Sequence, residues 1–407
     1  MERLKAAGSA PRGFFCGPRG GPEAGPQTEK ERAVEERESK EGLRTLRESI
    51  DRTDDELLRL LNRRMELVRE VGRIKAENGW ELFDPGREEL IYRKLGEANP
   101  GPLPPEGLRS VYREILAASR MLQYPLQVGF LGPEWTYSYL AALSLYGHSA
   151  RYVPFPNLEG VFDGLGRGKV RVGLVPIENS LEGGVGLTMD LFYENNPRVV
   201  QECYLEIAHC LCGRAPEPSR VESLYAHPQA LAQCRRWLLE HCPRAQWREC
   251  PSTAKAAETA REDPCGAAIC NLYAAYHYEL PVLAERIEDH PGSVTRFFAL
   301  ADRDNPPTGK DKTSILFAVS DEPGALHAVL GPFTDLKVNM TRIESRPNRV
   351  LPWHYLFYAD FEGHREDDRI RQLLSELRYR VTFLKILGSY ARSDAAHPIR
   401  FDREKMR

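Results

Sequence analysis

The sequence predicts a multidomain chain: an all-α helical module first, an α/β module in the middle, and a βαββαβ module last. Three observations predict it. Apolar residues recur at heptad spacing from Leu43, a helical period. After Tyr124-Pro125 the pattern changes to short β-branched runs that end in Gly or Pro loops, as strands of an α/β sheet do. Beyond the polar stretch DRDNPPTGKD (302–311), strands and helices alternate in the order of a split βαβ sandwich. A length of 407 residues fits two or three domains and is ample for more than one buried core.

Residues 1–41 look unlike the rest. GSAPRGFFCGPRGGPEAGPQ is rich in Gly and Pro, TEKERAVEERESKE is a charge run, and neither buries a core. We expect a disordered tail there, or one fraying into the first helix; it carries no apolar signal segment. From Leu43, heptad position a holds Leu43, Ile50, Leu57, Arg64 and Val71, and position d holds Leu46, Thr53, Leu60, Leu67 and Ile74. That predicts one helix of about 35 residues, roughly 50 Å long, and such length suggests pairing with a second chain. Asp84-Pro85 supplies an N-cap and a first-turn proline for a second helix that runs to about Gly96. After the breaker NPGPLPP, a third helix spans about Glu106 to Gln123.

LQVGFLG (126–132) and VRVGLVPI (170–177) read as parallel strands, and YLEIAHCLCG, AQWREC, CGAAIC and VTRFFAL continue that alternation to Leu300. The last module reads KTSILFAVS (strand), GALHAVLGPFTDL (helix), NMTRIESRP and WHYLFYADFEG (strands), DDRIRQLLSELRY (helix) and TFLKILGSYA (strand). The charged tail after Arg392 is expected to be loose. The expected boundaries are 1–41, 42–124, 126–301 and 312–392.

Composition excludes several function classes. A net charge of −3, from 56 basic and 59 acidic residues, gives no electrostatic case for a nucleic-acid partner. The longest apolar runs fall well short of the 18 or so residues a membrane span needs, so no membrane association is expected. Eight of the nine cysteines lie between Cys203 and Cys270, without C-x-x-C or zinc-finger spacing. Reduced thiols in a cytoplasmic protein are the expectation, and a metal site has no sequence support.

In the helical module, charges stand where a core belongs. Arg64 occupies position a of the seam, and Arg47 and Lys75 occupy position e beside it. Snorkelling stems with solvated heads would explain one such residue. Three cations, with Arg87 and Glu88 opening the next helix, also fit a pocket for a small polyanion. Arg64 and Lys75 are 11 residues, about 16 Å, apart and can converge on one ligand. Arg47 and Lys75 are 28 residues, about 42 Å, apart and cannot. Arg47 therefore serves another site, most simply that of an antiparallel partner in a two-fold dimer. Ser119 and Gln123 share a face of the third helix at i,i+4 spacing.

LRESIDRTDDELLRLLNRRMELVREVGRIKAENG…DPGREELI resembles the all-helical chorismate mutase domain, over about residues 43–123. The resemblance implies that Arg47 (from the partner chain), Arg64 and Arg87 hold the substrate's two carboxylates. It implies that Lys75 and Gln123 hydrogen-bond the ether oxygen, and that Asp84, Glu88 and Ser119 complete the pocket. A Claisen rearrangement is pericyclic, so positioning and electrostatic preorganisation suffice.

The α/β module offers GPEWTYS (132–138), PIENSLEGG (176–184), AHPQALAQC (226–234), PSTAKAAE (251–258) and SVTRFFAL (293–300). PIENS after a strand is a polar loop at a carboxyl edge, where ligand sites of α/β sheets form, although loop polarity alone is also ordinary. No G-x-G-x-x-G, Walker or G-x-S-x-G sequence occurs, which argues against nucleotide and serine-hydrolase chemistry. In this order and spacing the motifs resemble prephenate dehydratase, from about Gln127 to Leu300. The resemblance implies two α/β lobes around a cleft, similar to periplasmic binding proteins, with the essential threonine at Thr295, followed by Arg296 and Phe297. It places Thr136, Glu178, Asn179, Ser180, His227, Gln229, Gln233 and Thr253 in the cleft. It implies no metal or organic cofactor, since aromatisation drives the loss of carbon dioxide and hydroxide; a donor on the leaving hydroxyl and exclusion of water are what the site must add. Three positions depart from the family pattern: Trp135 for glycine, Ala226 for serine and Ser293 for asparagine.

EPGALHAVL (322–330) puts a Gly at a helix start, where free N–H groups can meet a carboxylate, though a plain strand-to-helix turn reads the same. With GAL at 324–326 and ESRP at 344–347, the βαββαβ order resembles the ACT domain attached to prephenate dehydratases. That implies phenylalanine binding at a subunit interface by Gly324, Ala325, Leu326, Glu344, Ser345, Arg346 and Pro347. The whole, about 43–391, resembles a fused chorismate mutase–prephenate dehydratase, with chorismate and prephenate as substrates, L-phenylalanine as feedback inhibitor, and a homodimer or higher homo-oligomer. Two rivals remain at this stage: a dehydratase, of prephenate or arogenate, whose helical module is only a dimerisation arm, and a non-catalytic amino-acid sensor. Arg64 in the seam argues against the first and Thr295 against the second.

Overall fold

The computed structural model describes residues 29–80, 83–347 and 355–401. Helix α1 (Glu29–Glu77) is one unbroken 49-residue helix. It begins well before Leu43, so residues 29–41 of the expected loose tail are helical. Their Glu, Lys, Arg and Ala are good helix formers that lose little rotamer freedom in a helix, which the charge run concealed. The rest of that expected tail, 1–28, lies outside the described residues. The chain divides into two compact units, one ending at Arg64 and the other beginning at Met65. In the first, the heptad residues Leu43, Leu46, Ile50, Leu57 and Leu60 are each more than half exposed.

The second unit opens with the end of α1, followed by α2 (Pro85–Ala98) and α3 (Pro105–Gln123). Asp84 caps α2 as its sequence promised: its carboxylate accepts from the Arg87 amide at 2.9 Å, with Pro85 at the first helical position. Gly72 stands inside α1 at heptad position b, a correction to the expectation of a long helix without an internal glycine. A Cβ there would stand 3.0 Å from Gln123 Cγ, so its bareness lets α3 close on α1.

The α/β module runs β1 (Gln127–Leu131), α4 (Tyr137–Tyr146), β2 (Arg151–Phe155), α5 (Leu158–Gly166), β3 (Val172–Asn179), β4 (Gly183–Gly184), α6 (Gly186–Glu194) and β5 (Arg198–Glu206). It continues with β6 (Cys210–Gly213), β7 (Ser223–Ala226), α7 (Pro228–Gln233), α8 (Arg235–His241), β8 (Gln246–Glu249), α9 (Thr253–Arg261), β9 (Gly266–Cys270), α10 (Leu272–His277), β10 (Val282–Glu285) and β11 (Val294–Ala301). Two sheets result. One has the order β2-β1-β3-β11-β5, with β4 on β3; the other has the order β10-β6-β9-β7-β8. The chain leaves the first lobe after β5 and returns to it as β11, so two crossovers join the lobes. β1 and β3, the two runs read as parallel strands, do pair in parallel, and β1 is also parallel to β2; the return makes β11 antiparallel to β3 and β5, and β6 is antiparallel to β9 and β10. Phe130, Leu140 and Phe297 fill one face of the first sheet, and Phe162, Phe192 and Phe298 the other.

The last module is β12 (Asp311–Ala318), α11 (Ala325–Asp335), β13 (Met340–Pro347), β14 (Tyr355–Glu362), α12 (Asp368–Arg378) and β15 (Phe383–Ala391), an antiparallel sheet in the order β13-β14-β12-β15. This is the expected βαββαβ arrangement. The tail after Arg392 is not loose up to residue 401. Ile399 exchanges backbone hydrogen bonds with β5, the Ser393 amide donates to Glu202, and Phe401 packs edge-on against Tyr273.

A buried charge cluster joins this sheet to the α/β module. Arg296 pairs with Glu202 at 2.7 Å and with Asp360, Lys312 reaches Glu202 at 3.1 Å, and Arg342 reaches Glu178 at 3.3 Å. With Glu344 also on Arg342, three cations meet four carboxylates. Burial alone would raise the Asp360 carboxyl, but Arg296, Arg342 and Ser314 outweigh it and hold it below the ordinary range. Asp360→Ala takes a fully buried partner from the buried Arg296 guanidinium, and chemical denaturation should show a loss of about 3–5 kcal/mol. A loss below about 1 kcal/mol would mean that water reaches the cluster.

Candidate functional site

Thr295 and Asn179 stand directly opposite each other on the antiparallel pair β11·β3, so their side chains share a face. The Asn179 amide donates to Thr295 Oγ1 at 3.0 Å and to Ser293 Oγ at 3.1 Å, and its carbonyl accepts from the amides of Leu181 and Glu182. With Asn179 pinned, Thr295 accepts from it and keeps its own proton to give to a ligand, and accepting strengthens a hydroxyl as donor. Ser293, a departure from the family pattern, is an acceptor in this network. The Ser180 amide donates to the Val294 carbonyl, and its hydroxyl accepts from the Val294 amide at 3.0 Å, which closes the end of the strand pair.

Across from this corner, α7 of the second lobe presents His227, Gln229 and Gln233. His227 caps α7, its Nδ1 accepting from the Gln229 amide at 3.3 Å. Burial pushes its imidazole below the ordinary range against the pull of Glu182 and Glu249, which suits the neutral acceptor form a cap needs. Thr253 opens α9 and is half-buried. Thr136 caps α4, and its hydroxyl donates locally, to Pro133 O at 2.9 Å. Trp135 holds a left-handed φ of +67°, which explains a glycine preference there. Stacking on His277 at 4.4 Å holds the indole in place.

Two sequence-predicted cleft residues point elsewhere. Adjacent strand residues face opposite sides, so Arg296 and Glu178 lie behind the sheet, in the charge cluster with Glu202, Asp360 and Arg342. Phe297 returns to the face of Thr295 but is core, buried with Phe130 and Leu140. Sequence reasoning missed Glu182, whose carboxylate takes amide donors from both Gln229 and Gln233, and His209, whose Nε2 meets Gln233 Oε1 at 2.8 Å.

In the helical module, Arg47 is exposed and Arg64 half-buried, both in the first unit. In the second, Gln123 donates to Val68 O at 3.1 Å, and Ser119 is buried with its hydroxyl on Ile115 O. Lys75 lies one turn from Gly72, on the face α3 approaches. Arg87 is exposed, and Asp84 is engaged as the cap of α2. Glu88, expected to touch substrate, is paired with buried Arg120, which also donates to Tyr146 O at 2.8 Å. Arg120 was missed because a cation on a helix reads as surface.

The predicted phenylalanine residues separate into two groups. Gly324, Ala325 and Leu326 line a cavity of about 410 Å3 with Tyr355 and Phe357. Glu344 and Arg346 project instead toward the α/β module. Glu344 pairs with Arg342 and stands over Gly184, and Arg346 binds Asp190 through two bonds of 2.6 and 2.7 Å. Ser345 and Pro347 alternate to the exposed face of β13. Among the described residues, no group of His, Cys, Asp or Glu is placed to hold a metal, and no helix is long and apolar enough to cross a membrane.

The fold and site define a class: a helical module, a two-lobed α/β module with a hydrogen-bonded threonine–asparagine pair at its cleft, and a βαββαβ sheet. Comparisons with known proteins agree in order. Residues 46–124 match the model of chorismate mutase type II, 128–305 that of prephenate dehydratase, and 313–379 that of the ACT domain. The bifunctional chorismate mutase/prephenate dehydratase of Aquifex aeolicus is 42% identical over 87% of this chain and 99% of its own. That of Stutzerimonas stutzeri is 39% identical over 86% and 98%. The structure of prephenate dehydratase from Arthrobacter aurescens in complex with L-Phe superposes with a TM-score of 0.61 at 36% identity, over 67% of this chain and 92% of that one. The chain belongs to the bifunctional chorismate mutase/prephenate dehydratase family, and both enzymatic domains of that family, isomerase and lyase, are present.

Proposed function

We propose that the helical module converts chorismate to prephenate, that the α/β module converts prephenate to phenylpyruvate, and that L-phenylalanine bound to the ACT domain inhibits the second step. The observation that carries the reading is the Thr295–Asn179 pair: a hydroxyl that accepts from Asn179 and keeps its own proton to donate suits a leaving hydroxide. As the carbon–carboxylate bond breaks, its electron pair completes the aromatic ring. The same electron shift expels the ring hydroxyl, which takes the Thr295 proton that solvent then restores, so carbon dioxide and water are released. In the mutase, Lys75 and Gln123 meet the ether oxygen while arginines hold the two carboxylates.

The ACT cavity suits a zwitterion with an aromatic side chain. Tyr355 and Phe357 offer rings, the start of α11 offers free N–H groups to a carboxylate, and Asp321 and Glu322 offer charge to an ammonium. We place the enzyme in the cytoplasm as a homodimer; the thiols from Cys203 to Cys270, all outside disulfides, and the exposed heptad stripe of α1 support this. Supplying chorismate to purified protein and following prephenate and phenylpyruvate, with and without phenylalanine, tests the whole reading. Ala325→Phe fills the cavity and should raise the phenylalanine concentration for half-inhibition at least about tenfold. An unchanged inhibition curve would move the effector site elsewhere.

A further inference from the structure

Of the residues described above around Thr295, Asn179, Glu182 and α7, none carries a positive charge. Arg296 is matched by Glu202 and Asp360 behind the sheet, and burial keeps His227 neutral near pH 7. What these residues offer a substrate with two carboxylates is neutral donors. The cleft already shows such donors holding a carboxylate. Gln233 Nε2 donates to Glu182 Oε1 at 2.7 Å, and Gln229 Nε2 donates to Glu182 Oε2.

The orientation of both amides follows from chemistry. A carboxylate only accepts, so each glutamine turns its NH2 toward Glu182. Gln233 then faces His209 with its oxygen, and His209 must carry its proton on Nε2. Burial holds His209 below its ordinary range and so keeps it neutral, as this chain of bonds requires. Glu182 sits on the β3–β4 loop of one lobe, 47 and 51 residues before its partners on the other. Its backbone amide also donates to Asn179 Oδ1, the residue that holds Thr295. Its side chain is exposed, and Gly183, at φ +83° with open space around it, gives the loop a pivot immediately after it.

We infer that Glu182 is a resident carboxylate occupying the amide pair Gln229–Gln233, and that a substrate carboxylate takes those two donors only by displacing it. The inference rests on the dehydratase reading above. Glu182 acts as a specificity and positioning residue: it keeps the two amides aimed in the geometry of a carboxylate site, and an anion that cannot offer two oxygens does not replace it. Two like charges cannot share the pair, so entry of substrate swings the loop outward and loosens the link between the lobes.

The test is steady-state dehydratase kinetics of the full chain on prephenate. Removing an exposed competitor by Glu182→Ala should lower KM by about three- to tenfold and so raise kcat/KM. Glu182→Gln, which keeps one accepting oxygen but no charge, should lower it less. Gln233→Leu should raise KM more in the Glu182→Ala background than in the wild type, because the competitor no longer masks the loss. A structural support would behave differently: kcat would fall and KM would rise or stay. An unchanged or raised KM in Glu182→Ala, with a normal thermal melt, overturns the inference. If Thr295→Val is inactive while Glu182→Ala leaves KM unmoved, only this inference fails; if Thr295→Val turns over normally, the dehydratase reading fails first.

Discussion

Thr295→Val is expected to reduce phenylpyruvate formation by roughly 10²–10⁴-fold, the range for losing a positioned proton donor, while chorismate is still consumed and prephenate accumulates. The substitution is close to isosteric, and the strand pair β11·β3 keeps Thr295 opposite Asn179 by backbone register alone. Asn179 retains its bond to Ser293 and both bonds to its carbonyl, so the corner should stay in place. One amide hydrogen loses its acceptor, which costs about 1–3 kcal/mol of stability if it stays dry and less at this part-buried site. The loss should therefore appear in kcat rather than in folding. Thr295→Ser, which restores the hydroxyl, should return within about tenfold of wild type. Phenylpyruvate formed by the valine variant at the wild-type rate would remove Thr295 as the donor.

What the sequence made legible was what short-range rules encode. Asp84-Pro85 gave the start of α2 because a cap and its proline act over three residues. The βαββαβ order was readable because period and punctuation alternate along the chain. Pairings across 50 or 100 residues were not. Arg296 and Glu178 read as neighbours of the cleft through Thr295 and Asn179, yet a strand's period of two sends them to the opposite side, where Asp360 waits 64 residues further on. The same alternation separates Glu344 and Arg346 from Ser345 and Pro347, which a four-letter motif presents as one unit. The alternation itself was available in the sequence; what was missing was the knowledge that both faces of these strands are covered. Arg120 and the tail to Phe401 failed for a related reason: charged residues look solvated until their partners are known. Glu182 lay in plain view within PIENSLEGG, but nothing local marks a carboxylate as held by amides of the other lobe.

Lys75→Ala should cost the mutase about 10²–10³ in rate, the usual effect of removing one preorganised electrostatic contact, and leave turnover of added prephenate near normal. Arg47→Ala should abolish the same activity for a different reason. At the helical rise of 1.5 Å per residue, the 28 residues from Arg47 to Lys75 correspond to about 42 Å. Neither side chain spans such a distance, so if both serve chorismate they come from different chains. Each homodimeric variant then has two defective pockets. Subunit exchange between the two variants changes the outcome: half the dimers are mixed, and each of those has one pocket that carries neither substitution. The mixture should recover about a quarter of wild-type mutase activity, for two symmetric and independent pockets. Recovery is the informative sign, since two variants that were merely unstable would not rescue each other. If exchange is demonstrated by labelled subunits and no activity returns, Arg47 does not act in the partner's pocket, and the exposed stripe of Leu43, Leu46 and Ile50 serves assembly alone.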